Sequence, residues 1–389
     1  MRSRTVLFIS FIPTLYFGVK TFLGQFVQYY FYAFIILSLI NVLFIAFLKK
    51  KVFMQYWLGI FFSFMFLDII FIKLDINQFI KNWKELNFFM LIPAACLTLF
   101  SCMLQTYRWR IILSKLNLFK FNHLFPSVMI GHLSNHILPA KAGELIKSYH
   151  LGKRFGFNKV TIFSTVVVER IFDGILALSF LLFFIFGLQK RQSELLLMGF
   201  FGVIIYCGAF LGVVMIYKYR EKLIALCQKI LAQKISDFAT KVLYSLSEGF
   251  HILKSVKQLF HVMAVSVLMW TVIAISIIPI IMMFNFQLPF YAPFAILACI
   301  SLGLTIPSAP GGIGIISFAT IFAMKILLME TGQEITDTMY AKIVVFSIVI
   351  NIVMVLPEVI LGAFFTIKTG LKITSFFNEI STESYATKK

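Results

Sequence analysis

The chain is a succession of apolar runs of about 20 residues, and no other feature constrains its fold so tightly. The runs fall at 5–23, 29–48, 52–72, 88–107, 163–188, 195–217, 259–284, 290–306, 313–329 and 343–365. A helix rising ~1.5 Å per residue crosses the ~30 Å hydrocarbon layer in about 20 residues. In lipid every backbone amide must be satisfied internally, and the ten-residue alternation of barrel strands is absent. The expected fold is therefore all-α, a polytopic integral membrane helical bundle of about 8–10 spans. Charged residues are only 13% of the chain, well below a soluble domain's ~25%. A less apolar stretch, 125–150, is left over.

The net charge of +19 invites a nucleic-acid reading, but its distribution argues against one. Placing the N-terminus in the cytoplasm and alternating sides puts 26 of the 35 lysines and arginines on cytoplasmic segments. For this count the leftover stretch must enter and leave on the same face. That is the bias expected of loops facing anionic headgroups. The expected location is the cell membrane, multi-pass, with both termini cytoplasmic; the partners are membrane lipids and no nucleic acid. The basic start of the chain reads as a retained first span, because a second apolar run follows and no small-residue cleavage site is evident. The five cysteines form no CxxC pair, so no metal or cofactor is expected from them.

Two portions are expected: N-terminal spans over 1–86, and a transmembrane domain over 87–389 that includes an amphipathic cytoplasmic segment at 218–257. In that segment Leu223, Leu226, Ile230, Ile235, Phe238, Val242, Leu246 and Phe250 recur at helical spacing. A helix pair on the inner leaflet and an ordinary cytosolic helical hairpin both satisfy the pattern.

Polarity concentrates in "NHILPAKAGELIKSYHLGKRFG", 135–156. Pro139 and Gly143 break helix hydrogen bonding, and Lys141 and Glu144 carry charge beside them. Broken backbone at membrane depth survives only where protein or a water-filled cavity covers it. A re-entrant segment meets that requirement and agrees with the charge count. A second such stretch is "LTIPSAPGGIGI", 304–315. Aligning "ILPAKAGE" with "TIPSAPGG" puts Pro139 on Pro307, Ala140 on Ser308 and Gly143 on Gly311, with Pro310 and Gly312 alongside. Two interrupted segments in corresponding places, entered from opposite sides, fit an inverted repeat with a transport site at its interface. Helix-hairpin turns also collect proline and glycine, so the pairing has a plain structural reading too.

In "TVVVERIFDGILAL" three charges interrupt an apolar helix. Glu169 and Asp173 share a face one turn apart, and Arg170 reaches Asp173. Charges at span centres cost roughly 2.5–3.5 kcal/mol each on insertion scales, so three together are expected to face the bundle interior. They would either brace the fold or form a path for a charged headgroup. On the second reading Arg170, Lys141 and Lys147 attract phosphate while Glu169 and Asp173 orient them. His132 and His136 are four apart, a spacing suited to metal ligation or a proton relay; without an HExxH pattern, headgroup contact is the preferred reading. Arg108 and Arg110 in "YRWR" read as interfacial anchors, with lipid-phosphate binding as the alternative. Glu358, after Pro357, reads as a partner for the central cations.

The stretches at 135–156, 165–178 and 307–315, in that order along the chain and over roughly 88–369, resemble the flippase-like family that includes the transmembrane region of lysylphosphatidylglycerol synthases. The resemblance implies movement of lipids between leaflets, such as an aminoacylated or anionic phospholipid or a polyprenyl-linked sugar. It also implies a functional set of Asn135, Pro139, Lys141, Gly143, Glu144, Glu169, Arg170 and Asp173, to which the residue reading adds His136, Lys147, Pro307, Ser308, Pro310, Gly311 and Gly312. The family's synthases carry a large soluble aminoacyltransferase domain after the membrane region, whereas about twenty residues follow the last run here. The expectation is a stand-alone lipid translocator of a phosphate-bearing lipid, more a transporter than an enzyme, with a separately encoded lipid-modifying enzyme as candidate partner. No Walker-type motif is present, so any coupling would fall to Glu144, Glu169 or Asp173. The alternatives are a membrane-embedded transferase acting on a lipid-linked substrate and a non-catalytic membrane scaffold.

Overall fold

A computed structural model describes residues 62–71, 74–114, 116–138, 142–187, 218–230, 255–305 and 310–371, with position 36 and isolated positions from 200 to 247. The runs at 5–23, 29–48 and 195–217 lie outside the described residues apart from single positions. So do Pro139, Lys141, Pro307 and Ser308, and the side chain of Pro310.

The described chain is helical and contains no strand among the described residues. The helices are α1 (Phe62–Phe71), α2 (Ile76–Lys84), α3 (Leu91–Leu113), α4 (Phe121–Ile137), α5 (Gly143–Phe155), α6 (Lys159–Gly187), α7 (Arg220–Ile230), α8 (Val256–Ile275), α9 (Ile278–Met283), α10 (Ala292–Gly303), α11 (Ile315–Glu330) and α12 (Asp337–Thr369). Four stretches are long and apolar enough to cross a membrane: Phe88–Leu113, Lys159–Gly187, Val256–Met283 and Asp337–Thr369. The third is interrupted between α8 and α9, where Pro279 lacks the amide that would continue the ladder. Polar side chains fix several helix starts. Asp75 accepts from the amides of Asn77 and Gln78 at 2.8 and 3.2 Å, and Thr336 caps α12 through Met339.

The leftover stretch folds as two packed helices, α4 ending at Ile137 and α5 beginning at Gly143. The second breaker-rich stretch is likewise flanked by helices, α10 and α11, with a 3-10 turn at Pro310–Gly312 that touches α4. Gly311 and Gly312 there have φ of 71° and 65°, a region that side-chain-bearing residues rarely occupy. α4 packs on α12, α5 on α6, and α3 on α8. Close approach depends on glycine: a Cβ on Gly143 would sit 2.0 Å from the Gly131 carbonyl oxygen, and one on Gly362 2.5 Å from that of Met129.

Two apolar cores are the largest clusters among the described residues. The larger joins α1 and the second halves of α6 and α8 to α10, α11 and the first half of α12. The smaller joins Cys102, Trp109 and Leu113 of α3 to α4, α5, and Ile162 and Val166 of α6. Along α6 the charged residues fall between them. In the 218–257 segment, α7 leaves Leu226 and Ile230 exposed, while Arg220 bonds Ser247 at 3.1 Å and stacks on Tyr244 at 4.6 Å.

Candidate functional site

Four helices converge on the charged turn of α6. Arg108, from α3, is fully buried and grips Asp173 with both terminal nitrogens: Nη1 to Oδ1 at 2.6 Å and Nη2 to Oδ2 at 3.2 Å. Its Nη1 also donates to Ser266 of α8 at 3.2 Å, and its Nη2 lies 3.5 Å from Glu169. Trp270 of α8 donates its indole N–H to Asp173 Oδ1 at 3.1 Å. The planar fork of a guanidinium suits this bidentate grip. "YRWR" therefore does not act as an interfacial anchor at Arg108. The phase of α3 turns that residue inward, toward two acids 61 and 65 positions downstream that its local pattern does not reveal.

A second buried pair sits beside the first. Lys147 of α5 is 3% exposed and donates to Glu169 Oε2 at 2.5 Å, with its ammonium 4.0 Å from the centre of the Trp109 ring. Trp109 is itself held by its N–H to Thr165 at 3.0 Å. Arg170, whose side chain is 42% exposed, bridges Glu144 of α5 at 3.1 Å and Asp173 at 3.5 Å. Asn135 spans the hairpin break, accepting from the Gly143 amide at 2.9 Å and donating to Glu144 at 3.3 Å. Among the described residues Arg108, Lys147 and Arg170 thus face Glu144, Glu169 and Asp173, three cations against three acids. Balance of this kind is what burial of charge demands.

A neighbouring cluster joins α4 to α12. Glu358 Oε2 meets His132 Nδ1 at 2.9 Å and His136 Nε2 at 2.8 Å. The other ring nitrogen of His132 meets Gln105 Oε1 at 2.6 Å, and the Cys102 thiol lies 3.6 Å from Glu358 Oε1. Glu358 thus pairs with the histidines rather than with the central cations. Cys102, His132 and Glu358 place one ligand atom each within 4.8 Å of one another, the chemistry of a zinc set. The imidazole–carboxylate spacings are those of hydrogen bonds, shorter than the edge of about 3.3 Å that metal bonds of ~2.0–2.1 Å require in a tetrahedron.

The second break is pinned from two sides. Asn351 of α12 donates to the Gly311 carbonyl at 3.3 Å, and Ser63 of α1 donates to the Ile313 carbonyl at 2.6 Å.

Of the residues singled out from sequence, Asn135, Gly143, Glu144, Lys147, Glu169, Arg170 and Asp173 come together in one cluster. His136 belongs to the Glu358 cluster, and Gly311 and Gly312 reach α4 through the 3-10 turn. Trp109, Gln105, Ser266 and Trp270 complete these clusters without having been identified from sequence as part of a site, and Arg108 joins them from a position expected at the interface. For Arg108 the available signal was a charge placed within the last turns of a long apolar helix.

At the end of the bundle where α5 and α12 finish, a cavity of about 970 Å³ lies between α4, α5 and α12. His150 borders it and bonds Ser127 at 2.8 Å. Burial, followed by the nearby Arg154, lowers its pKa to about 4.

A family model described as the lysylphosphatidylglycerol synthase TM region matches residues 56–362. The chain is 29% identical over 207 residues to the UPF0104 membrane protein MJ1595 of Methanocaldococcus jannaschii. That alignment covers 50% of this chain and 60% of the relative, so it spans less than two thirds of the relative's length. No solved structure matches the chain.

Proposed function

Because the chain belongs to the family of lysylphosphatidylglycerol synthase transmembrane regions and is a multi-pass membrane protein, we propose that it translocates a phosphate-bearing lipid between leaflets. A lipid-related role follows from the family; the transport step is the further reading. One observation carries it: Arg170 stands half-exposed beside the start of α5 while tied to acids on both α5 and α6. Ionisable groups inside a membrane bundle mark ion and substrate paths. A phosphate arriving at Arg170 competes with Glu144 and Asp173 for the same guanidinium, while Arg108 still holds Asp173. The acyl or prenyl tail stays in lipid. The topology that accompanies this reading has both termini cytoplasmic.

The test is a reconstituted vesicle assay with fluorescent phosphatidylglycerol and, separately, a labelled polyprenyl phosphate, following access of the label to a membrane-impermeant quencher. Folded wild-type protein should expose inner-leaflet label faster than empty vesicles, and Arg170→Gln should slow it by at least about tenfold, the factor that ~1.4 kcal/mol represents. Folded protein that moves neither lipid would sink the proposal. Covalent conversion of the lipid in detergent would point to a transferase instead.

A further inference from the structure

The cluster that joins α4 to α12 also reaches α3, so its donor atoms come from three helices rather than from one sequence motif. Cys102 of α3 is buried, with its thiol 3.6 Å from Glu358 Oε1. Zinc bonds of about 2.3 Å to sulfur and about 2.0–2.2 Å to oxygen place those two atoms about 3.5–3.6 Å apart in a tetrahedron, so this edge already has the required length. His132 completes the set, since one ligand atom from each of Cys102, His132 and Glu358 falls within 4.8 Å of the others. The surrounding contacts favour the same use. Gln105 Oε1 lies 2.6 Å from His132 Nε2, and an amide oxygen only accepts, so the ring proton sits on Nε2 and Nδ1 turns toward the carboxylate. There Nδ1 meets Glu358 Oε2 at 2.9 Å, and two lone pairs face each other unless a proton or a metal cation stands between them. A ligating histidine whose other ring nitrogen is tied to an acceptor is the common support of a metal centre. From the next turn of α4, His136 Nε2 steadies the same carboxylate at 2.8 Å. The side chains of His132 and Glu358 are 21% and 14% exposed, which leaves an ion a way in.

We infer that Cys102, His132 and Glu358 form a binding site for a zinc-like divalent transition metal that ties α3 and α4 to α12, with water or a ligand atom in the fourth position. Uptake exchanges hydrogen bonds for metal bonds. The thiol proton and the proton between Nδ1 and Oε2 leave to solvent, Oε1 ligates, and Oε2 keeps His136. A thiolate with an imidazole selects zinc, cobalt or cadmium over magnesium and calcium, which prefer oxygen. The site does not depend on the translocation reading, and metal binding is measurable without transport.

The full-length protein in detergent, stripped with a chelator and kept reduced, is titrated with Zn2+ and, separately, with Co2+. Wild type should take up one equivalent of zinc per chain. With cobalt it should show a thiolate-to-metal charge-transfer band and the visible bands of a tetrahedral ion, and equal concentrations of Mg2+ or Ca2+ should not displace either metal. Cys102→Ser, a near-isosteric change, should abolish the charge-transfer band and weaken zinc binding by more than about a hundredfold, whereas Cys96→Ser, at an exposed thiol, should change neither. Gln105→Leu removes only the support of His132 and should weaken binding about 10- to 100-fold, with the band retained at saturating cobalt. Zinc should raise the thermal transition of wild type and not that of Cys102→Ser. Wild type that binds no zinc, a cobalt spectrum without the charge-transfer band, or wild-type affinity in Cys102→Ser would each overturn the site. Gln105→Leu carries the comparison if Cys102→Ser loses its thermal transition. Zinc binding by a protein that moves no lipid would refute translocation and leave the metal site standing. Lipid movement by a protein that binds no zinc would do the reverse.

Discussion

Arg108 and Asp173 are 65 residues apart in the chain and make a two-pronged ion pair, 2.6 and 3.2 Å, with the arginine fully buried. This contact ties α3 to α6 at the level where the two apolar cores meet. Removing one partner strands the other charge in a dry interior, which typically costs about 3–5 kcal/mol. Arg108→Gln should therefore lower the thermal transition of the detergent-solubilised protein sharply. The paired replacement Arg108→Met with Asp173→Leu should recover part of that loss. An Arg108→Gln protein as stable as wild type would show that the pair contributes nothing net.

Gly143 tests the hairpin. Its missing Cβ leaves room for the Gly131 carbonyl oxygen, which would otherwise lie 2.0 Å away, with the Asn135 amide nitrogen at 2.6 Å. Both obstacles are backbone, so Gly143→Ala must push α4 and α5 apart, and a loss of about 1–3 kcal/mol or more is expected. Gly208→Ala, at a position with nothing within 4 Å, should be neutral or mildly stabilising. Thermal unfolding of the two variants side by side separates the packing effect from general glycine replacement.

Glu358 and His136 should be energetically coupled. Their 2.8 Å contact joins α4 to α12 next to Pro357, where α12 has lost a backbone hydrogen bond. A double-mutant cycle with His136→Ala and Glu358→Gln is expected to give an interaction energy above about 0.5 kcal/mol. Strict additivity would show that the contact has no energetic role.

The His150 site makes stability depend on acid. Its folded-state pKa of about 4 lies below the ordinary histidine value, so between those two pH values the unfolded chain binds the extra proton. Stability is fully present above about pH 6.5 and falls as pH drops toward 4, with a limiting slope of ~1.4 kcal/mol per pH unit. His150→Gln should flatten the unfolding profile in that window. An unchanged slope would assign the acid sensitivity to other groups.

Much of this architecture was readable from the chain. The apolar runs at 88–107, 163–188, 259–284 and 343–365 match the four spanning stretches, two of them running one residue past the end, and the polar run at 135–156 takes in the end of α4 and all of α5. Hydropathy over about 20 residues is a local property, and so is a proline or glycine that interrupts a ladder. The clustering of Glu169, Arg170 and Asp173 was legible for the same reason, since helical periodicity fixes their shared turn. The run at 290–306 was read as a span, but α10 covers only Ala292–Gly303, because helix ends depend on neighbours as well as hydropathy.

Partner choice was not legible. "YRWR" looks the same whether its first arginine faces headgroups or the bundle interior, because the rotation of α3 is set by packing against α6 and α8. Glu358 has no nearby charge in sequence, and its histidines lie 222 and 226 residues away. The sequence by itself determined that this chain is a membrane helical bundle, where its helices break, and which residues carry charge. The tertiary structure alone decided which charges meet, since a buried ion pair forms only when two helices present their faces at one depth. It also decided that Arg108, Lys147 and Arg170 meet Glu144, Glu169 and Asp173 at one turn of α6.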